Sequence, residues 1–291
     1  MEIKELYRLY QQHPCITTDS RDCPEGSIFL ALKGESFDGN KFAKSAIEKG
    51  CAFAIVDDQS AIPAGDDRYI IVENCLQTFK DLAREHRRQF NIPVIGITGT
   101  NGKTTTKELI AAVLSQKFNV LYTQGNFNND VGVPKTLFRL TSEHEIAVIE
   151  MGASHPGDIK TLAETAEPTC GLITNVGRAH LQGFGSFEGV IKTKCELYDF
   201  LRTQEEGLIF INADNEYLMD QIGDDEEIWI TPYSTDPDNW YSCISGEVIE
   251  CNPFLKFRWR EPLMTLEEEG RSTKRHKAQT QRIGVYNIDN L

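Results

Sequence analysis

The chain has 291 residues, of which 40% are hydrophobic and 25% charged, and its formal net charge is −14. This length allows two domains with separate cores, and the composition is ordinary for a globular protein. No hydrophobic run approaches the roughly 18–20 residues of a membrane-spanning helix, and the charged start of the chain lacks a signal-peptide core. We therefore expect a cytoplasmic protein without a membrane span. The negative charge disfavours nucleic acid as a partner, because nucleic-acid binding needs a basic surface.

Strand-like and helix-like segments alternate over the first part of the chain, which predicts a small α/β domain at 1–88. The predicted strands are 27–32, 52–56 and 69–72, and the predicted helices are 40–49 and 75–90. Two polar segments, 17–21 and 31–40, place hydroxyl groups, an arginine, a lysine and glycines beside strand ends. They fit either a second anion-binding site or ordinary turns, and the residue types alone leave both open.

The stretch IPVIGITGTNGKTTTK at 92–107 predicts a phosphate-binding loop between a buried parallel strand and a helix at 104–118. Glycines in the loop allow backbone N–H groups to approach phosphate oxygens, and the helix N-terminus favours a bound anion. The predicted buried face of the helix consists of Leu109, Ile110, Val113, Leu114 and Phe118. The predicted nucleotide-binding residues of the loop are Gly99, Thr100, Asn101, Gly102, Lys103, Thr104 and Thr105.

Within this loop Lys103 is expected to reach the β- and γ-phosphates of ATP, and the Thr104 hydroxyl to bind Mg²⁺. The usual spacing, G-x-x-x-x-G-K-[ST], would place the first glycine at position 97, which is Ile97. Gly96 lies one residue too early, so the loop is a variant form. A glycine turn with an incidental lysine is the alternative, but the strand before the loop and the helix after it favour ATP binding.

From residue 89 onward, alternating strands and helices predict a second domain, 89–291, with a doubly wound parallel sheet and ligands at the carboxyl ends of its strands. The predicted strands are 93–97, 119–123, 145–150, 170–174 and 207–211, and the later predicted helices are 157–167 and 187–202. Strand-like pieces follow at 247–251 and 255–259. The basic run from Arg271 to Arg282 predicts a hairpin arm or a solvated loop, with phosphate contact as the alternative.

Polar residues follow several of these strands. Glu150 ends a strand next to the loop strand, where a carboxylate can bind Mg²⁺ as a Walker-B acid does. A solvent-facing glutamate is the alternative, but the hydrophobic residues before Glu150 favour burial. The asparagine-rich loop 125–134 fits either recognition of phosphate, sugar or metal-bound water or a structural turn. His180 in a glycine-rich loop and Lys194 in a helix indicate, taken alone, a surface histidine and a solvated charge.

Taken together, these segments resemble the Mur ligases of peptidoglycan synthesis. The shared segments run in family order from residue 17 to residue 290: TTDSR, ALKGESFDG, GITGTNGKTTTKE, GNFNNDVGVP, EMGASHPGDI, TNVGRAHLQGFGS, IKTKCEL, INADN and GVYNIDN. GTNGKT alone marks only the superfamily, which includes folylpolyglutamate synthases. GNFNNDVGVP and EMGASHPGDI are narrower and resemble the members that add D-alanyl-D-alanine to UDP-N-acetylmuramoyl-tripeptide.

The resemblance implies roles for individual residues. Lys103 and Thr104 would hold the triphosphate and a first Mg²⁺ together with Glu150, and His180 would bind a second Mg²⁺. Lys194 matches the lysine that reacts with CO₂ to form a carbamate, which supplies the oxygen ligand that Mg²⁺ prefers. Catalytic roles are therefore expected for Lys103, His180 and Lys194. Asn287 matches the residue that contacts adenine. The expected precursor-binding residues are Ser20, Arg21, Lys33, Asp38, Asn126 and Asn129.

The resemblance also implies a function. It predicts an ATP-dependent ligase that converts the tripeptide carboxylate to an acyl phosphate and couples it to the amine of D-alanyl-D-alanine, acting as a monomer. Asn40 stands where the family usually has histidine, and Cys195 replaces a small residue. The family continues with a third, Rossmann-like domain, and if the 291 residues are the whole molecule we expect it to be weakly active or inactive. The alternatives are a ligase for folate or another stem residue, or a non-catalytic nucleotide-binding module.

Overall fold

The computed structural model describes residues 2–178, 181–222, 228–239, 241–262 and 273–281. The chain divides into two compact units, the first made of residues 1–91 and 130–140 and the second of residues 92–129 and 141–291. The predicted boundary at residue 88 lies close to the first crossing between the units, at 91. It does not anticipate that the chain returns to the first unit at 130–140.

Helices and strands are numbered in chain order over the described residues. The helices are α1 (Ile3–Gln12), α2 (Ala43–Glu48), α3 (Cys75–Arg87), α4 (Lys103–Leu114), α5 (Gly132–Leu137), α6 (Asp158–Ala166), α7 (Leu181–Phe184), α8 (Phe187–Arg202) and α9 (Glu216–Ile222). The strands are β1 (Ile16–Thr17), β2 (Ile28–Leu30), β3 (Phe53–Val56), β4 (Tyr69–Ile71), β5 (Val94–Thr98), β6 (Val120–Tyr122), β7 (Ile146–Glu150), β8 (Cys170–Ile173), β9 (Leu208–Asn212), β10 (Trp229–Ser234), β11 (Ile244–Cys251), β12 (Leu255–Pro262) and β13 (Thr273–Gln279).

The first unit is built on a parallel sheet in the order β1-β2-β3-β4. The residues of β2 and most of β3 are hydrophobic and buried, as expected of parallel strands that are covered on both faces. An aromatic cluster joins the helices of this unit, because the ring of Phe138, just after α5, lies 5.0 Å from that of Tyr10 and 5.5 Å from that of Phe79. Segment 130–140 is therefore part of this core.

His86 on α3 lies within the same cluster. Its Nε2 lies 3.1 Å from the Leu140 carbonyl oxygen, so this nitrogen carries the proton, and Nδ1 accepts a hydrogen bond from the Tyr7 hydroxyl at 3.0 Å. Burial lowers the pKa of His86 below its usual range. A neutral imidazole thus links α1 and α3 to the end of segment 130–140.

In the second unit the described strands form one sheet in the order β13-β12-β11-β10-β9-β8-β5-β7-β6. Neighbours from β6 to β11 are parallel, and β12 and β13 continue the sheet as antiparallel strands. β5 lies between β7 and β8: Ile97 pairs with Glu150 of β7 on one side and with Leu172 of β8 on the other. The carboxyl ends of these three strands therefore meet at one edge, and the predicted α/β fold with parallel sheets is confirmed.

Most predicted elements agree with the structure to within a few residues, and α8 has the predicted bounds. Two expectations are wrong. Helix α4 ends at Leu114, and Val113 of its predicted buried face is 69% exposed, although Ile110 and Leu114 of that face pack against the core. Thr106, Lys107 and Ala111 are its buried residues. Residues 132–134, predicted as loop, begin α5 instead. Helices α1, α7 and α9 and strands β1 and β10 were not predicted.

The basic run near the end of the chain forms a hairpin arm where it is described. β13 pairs with β12 in antiparallel register, and the His276 imidazole stacks on Trp259 with ring centroids 4.2 Å apart. Residues 271, 272 and 282 of that run lie outside the described residues. Over the residues that the structure describes, no helix has the length and hydrophobicity needed to cross a membrane.

Candidate functional site

The loop between β5 and α4 requires glycine at two positions. Gly99 has a φ of 144°, and Gly102, the residue before α4, has a φ of 79°. Both values lie in the left-handed region that side chains disfavour, and a Cβ at Gly99 would overlap the Thr174 hydroxyl. Helix α4 therefore begins at Lys103 directly after a closely wound loop, an arrangement suited to binding phosphate.

Gly96 accounts for the variant spacing of this loop. It lies inside β5, where a Cβ would approach Leu197 Cδ1 to 3.0 Å and Pro168 Cβ to 3.2 Å. Side-chain packing against the strand therefore selects glycine at this position. The first glycine of the loop itself is Gly99.

The residues that follow β8 hold the loop in place. The backbone N–H of Thr100 donates to the Asn175 carbonyl at 2.9 Å, and the Asn175 side chain accepts from Asn101 N at 3.0 Å and donates to Asn101 O at 3.1 Å. Thr174 Oγ1 donates to the same Asn101 carbonyl at 2.5 Å, and Gly177 N donates to Thr100 Oγ1 at 2.9 Å. These hydrogen bonds within the protein hold the loop backbone, which reduces the entropy cost of binding a ligand.

Lys103 lies across this loop. Its Nζ donates to the carbonyl oxygens of Gly99 at 2.8 Å and Thr100 at 3.0 Å. Burial lowers the pKa of Lys103, and the nearby Glu150 carboxylate acts in the opposite direction. A partly desolvated ammonium attracts an anion more strongly than a fully solvated one does. This geometry agrees with a phosphate-binding role for Lys103.

Glu150, at the end of β7, is 1% exposed, so the solvent-facing alternative is excluded. Its Oε1 accepts hydrogen bonds from Thr104 Oγ1 at 3.1 Å and from Asn128 Nδ2 at 2.9 Å. Its backbone N–H donates to Thr123 Oγ1 at 3.0 Å. Its Oε2 is buried without a hydrogen-bond partner among the described residues and lies 3.9 Å from Lys107 Nζ.

The residues around Glu150 fit a bound Mg²⁺. A buried carboxylate oxygen without a hydrogen bond is unfavourable unless a cation compensates it. The Glu150 carboxylate and the adjacent Thr104 hydroxyl are hard oxygen ligands of the kind that Mg²⁺ prefers. In the described ranges, no three or more His, Cys, Asp or Glu side chains are grouped to hold a metal ion. A Mg²⁺ ion would therefore take further ligands from a nucleotide and from water, as it commonly does.

Lys194 on α8 is 3% exposed, so the prediction from its own segment, a solvated charge, is wrong. Burial and, next, the charge of Lys103 lower the pKa of Lys194 to about 8, and Asp158 and Glu196 act in the opposite direction. Its Nζ also lies 5.5 Å from the centre of the Phe184 ring. The structure therefore brings the two predicted catalytic lysines, from α4 and α8, into one electrostatic environment.

Glu196, two residues after Lys194 on α8, holds the loop after β7 in place. Its two carboxylate oxygens accept from Gly157 N at 2.7 Å and from Lys160 N at 2.8 Å, at the start of α6. Asp158 accepts in turn from the backbone N–H groups of Ser154 and His155 at 2.7 and 2.8 Å. Carboxylates at a helix N-terminus are stabilising, and here they also order the loop next to Glu150.

A polar cluster in the first unit contains two of the predicted precursor-binding residues. Lys33 Nζ lies 2.8 Å from Asp57 Oδ1, and the buried Asn40 amide donates to Asp38 Oδ1 and Asp57 Oδ1, both at 2.8 Å. Burial would raise the pKa of Asp57, but hydrogen bonds from Lys33, Asn40 and Cys75 N lower it overall. Asn40 therefore acts as a neutral link, which explains how the cluster tolerates an amide in place of histidine.

The remaining predicted residues of this unit lie at the surface. Arg21 pairs with Asp19, with Arg21 NH2 2.7 Å from Asp19 Oδ2, and its side chain is 88% exposed. The Ser20 carbonyl accepts a hydrogen bond from Lys49 Nζ at 2.6 Å. Arg21 is thus available to an anion from solvent.

Comparison with models of known protein families identifies the family of this chain. Residues 97–291 match the family model described as Mur ligase middle domain, and residues 14–98 match the one described as Mur ligase family, catalytic domain. The chain belongs to the Mur ligase family. The family resemblance seen in the sequence motifs is therefore confirmed.

Among relatives of this Mur ligase are enzymes named UDP-N-acetylmuramoyl-tripeptide--D-alanyl-D-alanine ligase. The one from Synechocystis is 46% identical over 206 residues, which are 70% of this chain and 45% of the relative. The one from Escherichia coli is 44% identical over 200 residues, which are 69% of this chain and 43% of the relative. The chain spans about half the length of these relatives.

Solved structures of Mur ligases agree with this family assignment. MurF from Acinetobacter baumannii superimposes with a TM-score of 0.83 and 30% identity, covering 94% of this chain and 57% of the other. MurF ligase from Thermotoga maritima in complex with ADP gives a TM-score of 0.77 and 29% identity, with coverage of 90% and 57%.

The roles predicted for individual site residues of this Mur ligase remain predictions. His180 and Asn287 lie outside the described residues. Of the asparagines at 126–129, Asn128 reaches Glu150, whereas Asn126 and Asn129, the two that were predicted, are exposed. Asn128 could not be singled out from the sequence, because three asparagines in one short loop are equivalent until the position of Glu150 is known.

Proposed function

We propose that this Mur ligase uses ATP to join D-alanyl-D-alanine to UDP-N-acetylmuramoyl-tripeptide. The observation that carries the proposal is the hydrogen bond between Thr104 and Glu150, because it places a hydroxyl from the phosphate loop and a buried carboxylate at the N-terminus of α4. Relatives that carry the name of this activity are 39–46% identical over about 70% of the chain. ATP and the UDP-linked precursor are cytoplasmic metabolites, so the proposal includes a cytoplasmic location.

The proposed reaction has two steps. A carboxylate oxygen of the tripeptide attacks the γ-phosphorus of ATP, the bond to the β-phosphate oxygen breaks, and an acyl phosphate and ADP form. The amine nitrogen of D-alanyl-D-alanine then attacks the acyl carbon, the carbon–oxygen bond to phosphate breaks, and the amide forms with loss of a proton. Two anions must approach each other in the first step, so electrostatic stabilisation and positioning are the main catalytic requirements.

The residues of this chain meet that requirement in the proposal. Backbone N–H groups of the ordered loop bind phosphate oxygens, and Lys103 supplies a partly buried positive charge beside them. Thr104 and Glu150 would hold Mg²⁺, with His180 and Lys194 as ligands of a second ion. Bound Mg²⁺ would neutralise charge on the phosphates and on the attacking carboxylate.

Lys194 is proposed to be carbamylated. Its neutral amine would form a nitrogen–carbon bond to CO₂ with release of a proton, which gives an anionic oxygen group. Its burial and its pKa of about 8 support this role, because more of the amine is neutral near pH 7 than in an ordinary lysine. Carbamylation would also remove the repulsion between Lys194 and Lys103.

The first unit is proposed to bind the uridine diphosphate end of the precursor. Arg21 is exposed, and the side chain of Lys33 is 48% exposed although it pairs with Asp57. Guanidinium and ammonium groups are suited to binding phosphate. Ser20 and Asp38 belong to the same two segments, and Asn126 and Asn129 are proposed to lie near the phosphates in the second unit.

Calorimetric titration of the chain with ADP, with and without Mg²⁺, tests the nucleotide site. Lys103→Met should weaken binding at least about tenfold, because it removes a charge-assisted contact of roughly 1.5–3 kcal/mol. Glu150→Gln should remove only the part that depends on Mg²⁺. Lys117→Met, at an exposed lysine just after α4, is the matched control and should bind like the wild type. Equal affinities in all four proteins would rule out this site.

Release of phosphate tests the choice of substrates. The proposal requires release that depends on both UDP-N-acetylmuramoyl-tripeptide and D-alanyl-D-alanine. Release with a folate or with a precursor of another stem length would identify a different ligase of the superfamily. Binding of ADP without release under any of these conditions would identify a non-catalytic nucleotide-binding module.

A further inference from the structure

Lys107 on α4 is fully buried, which is unusual for a lysine. It lies one helical turn after Lys103, on the same side of the helix. Its Nζ donates to the Thr123 carbonyl at 2.7 Å and pairs with Glu108 Oε1 at 2.9 Å. The same ammonium lies 3.9 Å from Glu150 Oε2. Nothing in the proposed reaction uses this lysine.

The two oxygens of Glu150 have different environments. Oε1 accepts hydrogen bonds from Thr104 and Asn128, whereas Oε2 is buried and has no hydrogen bond within the described part of the chain. At 3.9 Å, Lys107 neutralises the charge of Oε2 without a hydrogen bond. Lys107 therefore compensates the charge of this carboxylate only in part, and Oε2 keeps its lone pairs free for a cation.

We propose that Lys107 is a positioning residue that supplies the counter-charge of Glu150 when no metal ion is bound and thereby limits how tightly this carboxylate binds a divalent cation. The inference rests on the proposed function, since it takes Glu150 to be a ligand of Mg²⁺. A buried carboxylate without a counter-charge would be destabilising and would bind cations strongly. A metal site that must release Mg·ADP in each cycle benefits from a fixed positive charge that opposes retention of the ion.

A structural role for Lys107 is the competing explanation. Its contact with Thr123 joins α4 to the end of β6, its contact with Glu108 lies within α4, and a hydrophobic replacement would break both. The two explanations differ in what happens to metal affinity. Loss of a structural bridge would weaken metal binding or leave it unchanged, whereas loss of a counter-charge would strengthen it.

The experiment measures the affinity of Mn²⁺, as a probe for Mg²⁺, for the ADP complex of the full chain by electron paramagnetic resonance. Lys107→Met should bind Mn²⁺ about tenfold more tightly than the wild type, because even at a water-like dielectric a unit charge within about 6 Å of a divalent ion has that effect. Lys107→Arg keeps the charge and should stay within about twofold. Lys117→Met, which removes an exposed charge, should not change the affinity. Unchanged or weaker Mn²⁺ binding by Lys107→Met would overturn the inference.

A second measurement covers the case in which Lys107→Met is too unstable to assay. The double variant Lys107→Met/Glu150→Gln removes both charges, so it should recover much of the thermal stability lost in Lys107→Met, whereas a purely structural lysine would give no recovery. Absence of recovery would overturn the inference. A different result would refute the proposed metal site itself: wild type and Glu150→Gln would then bind Mn²⁺ equally in the presence of ADP.

Discussion

Glu196→Ala tests whether one side chain orders the loop next to Glu150. Glu196 lies on α8, and its carboxylate accepts hydrogen bonds from the backbone N–H groups of Gly157 and Lys160 at the start of α6. Alanine leaves both N–H groups without that acceptor and removes a negative charge from a helix N-terminus. Helix α6 and the loop between β7 and α6 should lose stability together.

The magnitude follows from the two contacts. Hydrogen bonds to a charged acceptor contribute about 1.5–3 kcal/mol each, and the partial exposure of Glu196 favours the lower end, so the free energy of unfolding of the second unit should fall by about 3 kcal/mol. All three tryptophans, at positions 229, 240 and 259, belong to this unit. Their fluorescence therefore follows its unfolding, and the urea midpoint should fall by about 1 M.

Asp199→Ala is the matched control for this measurement. Asp199 is one helical turn further along α8, its side chain is 69% exposed, and it pairs with Arg202 at 3.0 Å. An exposed ion pair of this kind contributes about 0.5 kcal/mol or less, so the midpoint should hardly move. Hydrogen exchange at the Gly157 and Lys160 amides should accelerate in Glu196→Ala only. A midpoint and exchange rates equal to those of the control would refute the reasoning.

Three further variants test other parts of the structure. Because burial lowers the pKa of His86, the contribution of this side chain to the stability of the first unit should be fully present above about pH 6.5 and be lost as the pH falls through the folded-state pKa, as followed by hydrogen exchange at the amides of α3; His86→Gln should lack this part of the pH dependence. Asn175→Ala removes two hydrogen bonds that order the nucleotide loop, so titration calorimetry should show Mg·ADP binding weakened about tenfold with the melting temperature nearly unchanged. Gly99→Ala combines a left-handed φ with overlap of the Thr174 hydroxyl and should abolish ADP binding, whereas Gly185→Ala, at a left-handed φ in open space, should retain it.

The nucleotide loop could be predicted from the sequence because its determinants are local. A hydrophobic strand, two glycines with left-handed φ and a helix start follow one another within a few residues, and each has a distinct residue signature. The burial of Glu150 was predicted for the same reason, since the end of a buried strand is visible in the hydrophobic pattern. The alternation of strands and helices was also sufficient to predict the parallel sheets.

What could not be predicted depends on contacts between distant segments. The buried side of α4 was assigned to its hydrophobic residues, yet Lys107 is buried and Val113 is exposed. The partners of Lys107 come from the ends of β6 and β7, whose positions no helical period reveals. The Asn175 side chain likewise bonds to a loop that is 74 residues away in sequence. Pairs of residues that are distant in sequence can be recognised only once the fold is known.

The passage of residues 130–140 back into the first unit has a consequence for synthesis. A ribosome releases residues 1–91 and then residues 92–129 of the other unit before Phe138 and Leu140 become available. Until then Tyr10 and Phe79 lack their ring contact with Phe138, and His86 lacks its acceptor at Leu140. The nascent first unit therefore exposes aromatic surface while the nucleotide loop emerges, so its maturation cannot be separated from that of its neighbour.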